Sequence, residues 1–362
     1  MYRRRIRRQK ELFMIERIRE LAAEMKPAMI DLAQRLIRTP SLSGQEKDVA
    51  DLILAELEKL GYDEVFRDPW GSVCGIIHGT EPGPAIMYNG HMDHVDIGDL
   101  SEWHGYEPYG GVIDIDEMYN EAGDALEKAE VIHGRAAADT KSGIACQIYS
   151  GAILAQLKKE GVGFKGDYMV SFVVMEEPAE QIGIIGLIDN EFPKRGLHVD
   201  GVVSCEATAL KIYCGHRGRV EINVEVAGVT SHGASPWLGI NAVNKATKLI
   251  DAVEAYYAEH YQVDEKLGKS SIALTVINCT PGTMCIVPDR CNITYDRRLV
   301  PTETPEDAIA EIQAIIDRLS AEDPDFHATV KVSAVPRTTY TGITETKPNI
   351  KEGWRIAEDH PF

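Results

Sequence analysis

Residues 85–94 read AIMYNGHMDH, an apolar run that leads directly into a histidine at position 91 and an aspartate at position 93. Two later stretches share this pattern, since residues 168–175 lead into Glu176 and Glu177, and residues 199–205 lead into Glu206. Short apolar runs bounded by turns are typical of interior parallel strands. Because the carboxyl ends of parallel strands open into one crevice of an α/β sheet, we expect these polar side chains to lie close together.

A fourth motif, Asp139-Thr140-Lys141, adds another carboxylate just ahead of a predicted helix. Carboxylates that are buried at close quarters repel one another and take up protons unless a cation holds them. The four motifs together therefore predict a site for a pair of metal ions.

Length, composition and charge limit the classes of function. The 362 residues include 44% hydrophobic side chains, enough for a large core and two domains. The net charge of −19 argues against non-specific binding of nucleic acid. No apolar stretch approaches the roughly 20 residues that a membrane span needs. Seven cysteines without a CxxC pair or a signal peptide indicate reduced thiols in a cytoplasmic protein.

The first ten residues differ from the acidic remainder, because they carry six cations and no acid. Such a segment could bind nucleic acid or a membrane surface. No apolar signal core follows it, however, and a strong helical pattern begins just after Met14. We therefore expect residues 1–13 to be a mis-called start, with the binding arm as the alternative.

Helices and strands alternate along the first half of the chain. Helices are predicted at residues 15–38, 43–60 and 142–160, and strands at residues 71–78, 85–88, 168–175 and 199–205. The second helix is predicted to start with a capping box formed by Ser43 and Glu46. This order predicts an α/β fold with a mainly parallel sheet covered on both faces.

The pattern changes near residue 212. Strands are predicted at residues 219–227, 272–278, 291–299 and 327–335, and helices at residues 239–260 and 305–319. Two helices on one face of a four-stranded antiparallel sheet form an inserted α+β, ferredoxin-like domain that serves for dimerisation or as a lid. The predicted boundaries are 14–211 plus 336–362 for the metal-binding catalytic domain and 212–335 for the inserted domain.

The acidic run from Asp114 to Glu130 carries seven acids and one lysine. We predict that it is an exposed loop insertion within the catalytic domain.

Taken together, the motifs resemble those of the co-catalytic dizinc amidohydrolases and metallopeptidases, which include aminoacylase, acetylornithine deacetylase, succinyl-diaminopimelate desuccinylase and carboxypeptidase G. The resemblance runs from about Met14 to the last residue and is closest to hydrolases that genome context links to selenium metabolism. It implies a zinc-dependent hydrolase that cleaves an amide, peptide or carbamoyl bond of a small carboxylate-bearing substrate, such as an N-acyl amino acid or a dipeptide. A non-catalytic, metal-binding dimeric scaffold is the alternative.

The resemblance also implies the metal ligands. His91 and Glu206 would bind the first ion, Glu177 would bind the second, and Asp139 would bridge both. Zinc accepts imidazole nitrogen and carboxylate oxygen, and two ions about 3.5 to 4 Å apart need one shared carboxylate. Two Zn²⁺ ions are therefore expected in the full-length protein, with Co²⁺ or Mn²⁺ as alternatives.

Four further residues take roles from the resemblance. Asp93 would orient the His91 ring, and Glu176 would be the general base that activates a metal-bound water. His232 would reach the active site of the partner subunit in a homodimer and stabilise the oxyanion. Arg298 would bind the substrate carboxylate through its guanidinium group.

Two features depart from the family pattern. Family members commonly carry an Asn at the position where Cys285 precedes Ile286-Val287-Pro288. The sequence also stops at Phe362, before the Gly-rich strand end and the last histidine ligand of the second metal. We therefore expect a truncated catalytic domain with an incomplete second metal site, which leaves the activity of this chain open.

Overall fold

In the computed structural model, the described residues are 2–120, 125–179, 181–208, 211–213, 215–351 and 353–355. Their contacts divide the chain into two compact units. The first unit comprises Met1–Lys211 and Pro336–Glu345, and the second comprises Ile212–Val335 and Thr346–Phe362. The segment from Thr346 onward thus differs from the prediction, which assigns all of 336–362 to the catalytic domain. Residues 356–362, where truncation is predicted, lie outside the described residues.

Three long and three short α-helices lie in the described part of the first unit. They are α1 (Tyr2–Arg38), α2 (Lys47–Leu60), α3 (Ser142–Lys159), α4 (Glu176–Ala179), α5 (Ile182–Ile185) and α6 (Phe192–Arg195). Helix α1 begins at Tyr2 rather than at the predicted Ile15. Helix α2 ends at Gly61, whose φ of 81° is a left-handed conformation that glycine adopts at little steric cost.

A five-stranded sheet forms the centre of the first unit. Its strands are β1 (Glu64–Arg67), β2 (Val73–Ile77), β3 (Ile86–His91), β6 (Tyr168–Val173) and β7 (Gly201–Ser204), in the order β1-β2-β6-β3-β7. Strand β3 pairs in parallel with β6 and β7, whereas β2 pairs antiparallel with β1 and β6. Four of the five strands therefore run in one direction, which confirms a mainly parallel sheet.

Apolar side chains cover both faces of this sheet. Along β6, Val170 and Phe172 belong to the core that packs against α1, α2 and α3. The alternate residues Met169 and Val173 belong to a second core that includes Leu187. Because successive side chains of a strand point to opposite faces, a continuous apolar run marks a strand that is buried on both sides.

The acidic run is not a loop, and that prediction is wrong. Strand β4 (Val112–Tyr119) pairs antiparallel with β5 (Leu126–His133), while residues 121–124 lie outside the described part of the chain. The sequence of β4 alternates Ile113 and Ile115 with aspartates. β-branched residues at every second position favour an extended strand, and this preference outweighs the low strand propensity of Asp.

The second unit has the predicted α+β arrangement. Its strands are β8 (Gly215–His216), β9 (Gly218–Ala227), β10 (Ser231–His232), β11 (Val263–Asp264), β12 (Gly268–Lys269), β13 (Ser271–Thr280), β14 (Ile286–Val287), β15 (Arg290–Leu299) and β16 (His327–Val332). Helices α7 (Ala242–Glu259) and α8 (Pro305–Glu322) pack on the antiparallel sheet β13-β15-β9-β16. Val220, Ile222 and Val224 of β9 form the buried face of the sheet.

Four strands follow β16: β17 (Ala334–Thr338), β18 (Thr344–Pro348), β19 (Ile350–Lys351) and β20 (Trp354–Arg355). Strand β16 covers β9 only as far as Ile222, and β19 then pairs with Val220 and Arg219. The end of the described chain belongs to the second unit because it supplies hydrogen bonds to backbone groups of β9 that β16 leaves uncovered. Among the described helices, none has the length and apolar character that crossing a membrane requires.

A buried carboxyl group in the turn between β1 and β2 makes stability depend on pH. Asp68 is 3% exposed, and its Oδ1 accepts hydrogen bonds from the amides of Gly71 and Ser72, both at 2.8 Å. Burial raises the pKa of Asp68 to about 6. The folded state therefore binds this proton more tightly than the unfolded state does.

We expect the contribution of Asp68 to the free energy of unfolding to fall as pH rises from about 4 to about 6, by up to about 3 kcal/mol. Asp68→Asn keeps an acceptor oxygen and removes the titration, so its stability should fall less over this range. Urea unfolding of both proteins at pH 4, 5, 6 and 7, with chelator present throughout, measures the difference. Identical pH dependences would contradict the prediction.

Candidate metal centre

His91, the last residue of β3, lies at the carboxyl end of the parallel strands. Its ring is 2% exposed, its Nε2 lies 2.9 Å from Oδ1 of Asp139, and its Nδ1 lies 3.0 Å from the backbone oxygen of Asp93. Burial opposes ionisation of the ring, but the carboxylates of Asp139 and Asp93 raise the pKa of His91 to about 11. The ring is therefore held by acceptors on both nitrogens.

Three predicted metal ligands come together at this point. Ligand atoms of His91, Asp139 and Glu206 all lie within 4.8 Å of one another. Asp139 lies in the tight turn Ala137–Lys141 before α3, and Glu206 follows β7. Ligands about 2 Å from a tetrahedral zinc ion lie roughly 3 to 3.5 Å apart, so this imidazole and these two carboxylates are suitable ligand types that would have to approach one another by about 1.5 Å at most to hold such an ion.

Glu176 and Glu177 lie next to this cluster. They begin the single turn of α4, after Met175 with a φ of 57°. On this helical turn the two neighbouring side chains diverge by about 100°. Burial raises the pKa of Glu177, and the charge of Asp139 raises it further, while His91 lowers it. Glu177 is thus within electrostatic reach of the three-residue cluster.

Asp93 makes contacts that the sequence did not reveal. Its fully buried carboxylate accepts hydrogen bonds from the amides of Glu176 at 3.0 Å and Glu177 at 3.1 Å. It also accepts a bond of 2.6 Å from the hydroxyl of Ser43. Its Oδ1 is 3.6 Å from Nδ1 of His91, farther than its own backbone oxygen. The carboxylate therefore holds the Glu176-Glu177 turn more directly than it holds the imidazole ring.

The predicted capping box at Ser43 and Glu46 is absent from the described contacts of α2. The helix begins at Lys47 without a side-chain cap, and Glu46 is fully buried. Its Oε1 accepts hydrogen bonds from the amides of Gly44 at 3.0 Å and Met175 at 3.1 Å. Burial raises the pKa of Glu46 to about 7. Ser43 and Glu46 have the spacing typical of a capping box, but Glu46 instead contacts Met175, which lies far along the chain.

Lys141 is a second buried charge that sequence reasoning assigned no role. It is fully buried, and its ammonium group donates a hydrogen bond of 2.7 Å to the carbonyl of Thr39. Burial lowers the pKa of Lys141 to about 7. The Asp-x-Lys motif thus places a titratable amine within electrostatic reach of Asp93.

The remaining predicted site residues lie in the second unit. His232 is exposed on β10, and its Nδ1 accepts a hydrogen bond of 3.0 Å from the amide of Ala234. Arg298 forms two bonds to Asp296, at 2.7 and 3.0 Å. Cys285 has a φ of 70°, a left-handed conformation that Asn tolerates well, which accounts for Asn at this position in the family pattern.

Comparison with known proteins identifies the family. The M20 model described as a peptidase dimerisation domain matches residues 214–324. The uncharacterized protein YgeY of Escherichia coli K12 is 31% identical over 346 residues, which cover 95% of this chain and 78% of that protein. The chain belongs to the M20 metallopeptidase family.

Other M20-type relatives extend this comparison. Succinyl-diaminopimelate desuccinylase of Corynebacterium glutamicum is 29% identical over 301 residues, covering 80% of this chain and 73% of that enzyme. An M20 family metallo-carboxypeptidase of Sulfolobus solfataricus has a TM-score of 0.66 at 16% identity, over 92% of this chain and 80% of that one. Human carnosine dipeptidase 1 also has a TM-score of 0.66 at 15% identity, and the match covers 96% of this chain and 82% of that one. The two structures share the fold of this M20 protein.

Removal of metal should destabilise the protein. The carboxylate cluster needs a cation to stay ionised at close quarters, so dialysis against a chelator should lower the melting temperature, and Zn²⁺ should restore it by about 5 °C or more. His91→Ala should bind less metal and lose most of this response. Elemental analysis should find bound metal in the wild-type protein and less of it in His91→Ala. A melting temperature that neither chelator nor Zn²⁺ changes would contradict the metal site.

Proposed function

We infer that this M20 protein is a dizinc hydrolase that cleaves an amide, peptide or carbamoyl bond of a small carboxylate-bearing molecule. The observation that carries the inference is the cluster of His91, Asp139 and Glu206, whose ligand atoms lie within 4.8 Å of one another. The named relatives are a desuccinylase, a metallo-carboxypeptidase and a dipeptidase, which supports hydrolysis of an amide or peptide bond. An N-acyl amino acid or a dipeptide is the expected type of substrate.

The metal ligands are assigned by chemistry and by position. His91, Asp139 and Glu206 would hold the first ion, and Asp139 with Glu177 would hold the second. When bound, Zn²⁺ supplies Lewis acidity that polarises the scissile carbonyl and makes the attacking water more acidic. Co²⁺ and Mn²⁺ accept the same types of ligand and are the alternatives to zinc.

Glu176 is the proposed general base. It would accept a proton from the attacking water and then deliver that proton to the leaving nitrogen. Its amide is held by Asp93, which fixes the backbone from which the carboxylate extends. Because Glu176 and Glu177 point in different directions from one helical turn, one can move a proton while the other binds metal.

His232 and Arg298 are proposed to contact the substrate. The hydrogen bond from Ala234 to Nδ1 of His232 leaves the proton of the neutral ring on Nε2, where it can be donated to an oxyanion. Arg298 holds Asp296 with two bonds, the geometry in which a guanidinium group binds a carboxylate. A substrate carboxylate would share or replace that partner.

A homodimer is the proposed assembly. Strand β13 lies at one edge of the sheet of the second unit, and Leu274, Val276 and Ile277 on it are exposed. An uncovered edge strand favours pairing with another chain. The match of residues 214–324 to a peptidase dimerisation domain supports this role. His232 would then act at the active site of the partner subunit.

Two isosteric substitutions separate the base from the ligand. Glu176→Gln should keep the metal content and lower kcat by about 100-fold or more, because the proton acceptor is lost. Glu177→Gln should lose metal occupancy first. Elemental analysis and steady-state kinetics with N-acyl amino acids and dipeptides make the comparison. The opposite pattern would exchange the two roles, and a wild-type protein that hydrolyses no such substrate would favour the non-catalytic scaffold.

Mixed dimers test the role of His232 across subunits. The single variants His232→Ala and Glu176→Gln should each be inactive. After subunit exchange, a mixed dimer would contain one site with both Glu176 and His232 intact, so part of the activity should return. Size measurements and a tagged-subunit assay confirm the exchange. A monomeric protein, or proven exchange without recovered turnover, would show that His232 does not act on the partner subunit.

A further inference from the structure

We propose that Ser43 and Glu46 are positioning residues that hold the Glu176-Glu177 pair in place for catalysis and metal binding. Both belong to a short segment, residues 41–46, that we call the bridging loop. The proposal rests on the proposed function, which makes Glu176 the base and Glu177 a metal ligand. The spacing of Ser43 and Glu46 in the sequence predicts only a helix cap, which the structure does not contain among the described contacts of α2.

One contact of the bridging loop acts through Asp93. The Ser43 hydroxyl donates a hydrogen bond of 2.6 Å to Oδ2 of Asp93. The same carboxylate accepts hydrogen bonds from the amides of Glu176 and Glu177. A carboxylate rotates about its last torsion unless a further bond fixes it, so Ser43 sets the plane in which Asp93 presents its oxygens to the two amides. Ser43 thus acts on the backbone of both glutamates.

A second contact acts through Met175. Oε1 of Glu46 accepts hydrogen bonds from the amides of Met175 at 3.1 Å and Gly44 at 3.0 Å. Met175 has a φ of 57°, a backbone conformation that is unfavourable for residues other than glycine. It is the residue directly before Glu176. The hydrogen bond that the amide of Met175 donates to Glu46 supports this conformation, and it therefore fixes the direction in which the turn of α4 starts.

The bridging loop is itself attached to the end of β3. The hydroxyl of Ser41 donates to the carbonyl of Met92 at 2.6 Å, and the amide of Ser41 donates to Nε2 of His94 at 3.0 Å. The amide of His94 in turn donates to the carbonyl of Ser41 at 3.2 Å. The loop consequently joins the segment that carries His91 to the segment that carries Glu176 and Glu177.

Burial of the Glu46 carboxyl group is energetically costly, which favours a positioning role over simple packing. Glu46 is fully buried, and its Oε2 has no hydrogen-bond partner within the described part of the chain. The nearby charge of Asp93 disfavours its ionised form further. Burying an unsatisfied oxygen and a like charge destabilises the fold, and an apolar residue would avoid both costs. What an apolar residue cannot supply is the acceptor for the amide of Met175.

Helix α4 needs such support because it is short. A single turn of four residues has few internal hydrogen bonds, and isolated turns of this length are unstable in water. The positions of Glu176 and Glu177 are therefore set by contacts from outside the helix. Displacement of a base or a ligand by about 1 Å is enough to lower turnover strongly.

The experiment compares conservative and disruptive variants in this chain, with Zn²⁺ alone as the probe. Ser43→Ala removes the donor, and Ser43→Thr keeps a hydroxyl. Glu46→Leu removes the acceptor, and Glu46→Gln keeps one. Glu56→Gln is the matched control, because Glu56 is also buried in the first unit but pairs with Arg35 and Lys59. Melting temperatures identify any variant that fails to fold.

Two measurements are independent of turnover. Hydrogen exchange resolved at the amides of Glu176 and Glu177 should become about tenfold faster in Ser43→Ala and Glu46→Leu, and the affinity for Zn²⁺ should fall by about tenfold. Ser43→Thr, Glu46→Gln and the Glu56 control should stay close to wild type. In an active protein, kcat should fall with little change in KM.

The partly exposed Ser43 keeps the proposal testable if a Glu46 variant does not fold. Unchanged exchange and unchanged Zn²⁺ affinity in folded Ser43→Ala would overturn the proposal for Ser43, and the same result in folded Glu46→Leu would overturn it for Glu46. An equal change in the Glu56 control would reduce both effects to general destabilisation and overturn the proposal. A protein that hydrolyses no amide but still shows the expected changes would refute the proposed function and leave the positioning role intact.

Discussion

The buried carboxylate of Asp93 is the contact on which the candidate site depends. It accepts hydrogen bonds from the amides of Glu176 and Glu177 and from the hydroxyl of Ser43. The backbone oxygen of Asp93 contacts the ring of His91. Burial alone would raise the pKa of Asp93, but His91, Ser43 and the amide of Glu176 hold it below its usual value. One ionised side chain thereby joins the segments that directly follow two neighbouring strands.

The electrostatics around Asp93 explain why this site should bind cations. The carboxylates of Asp139 and Glu177 lie within electrostatic reach of it, Glu206 lies close to Asp139, and burial raises the pKa of Glu177. Protonation of His91 balances part of this charge, as its raised pKa indicates. A divalent cation balances more charge at the same place and leaves the imidazole nitrogen free to act as a ligand. Metal binding and ionisation of the carboxylates are thus thermodynamically coupled.

The second unit follows different physical rules. Its antiparallel sheet is covered by helices on one face, so buried and polar residues alternate along β9 and β15. On the polar face, Asp296 accepts bonds from both Arg219 and Arg298. Cross-strand charge pairs of this kind stabilise the register of the two strands. They also hold the Arg298 guanidinium in a geometry suited to carboxylates.

The sequence by itself determined the parallel strands, the order of the two units and the cluster at the strand ends, because a buried run followed by polar residues is a local signal. This signal placed His91 and Glu206 at strand ends, whereas Asp139 came from a separate motif ahead of a helix, and the family resemblance supplied their roles as ligands. The tertiary structure alone decided the partners of Ser43 and Glu46, whose acceptors and donors lie far along the chain. It also decided that residues 350–351 complete β9, since an uncovered strand edge exists only once the sheet has formed. Hydrogen-bond partners distant in sequence leave no periodic pattern, and that is the physical reason these contacts required the folded chain.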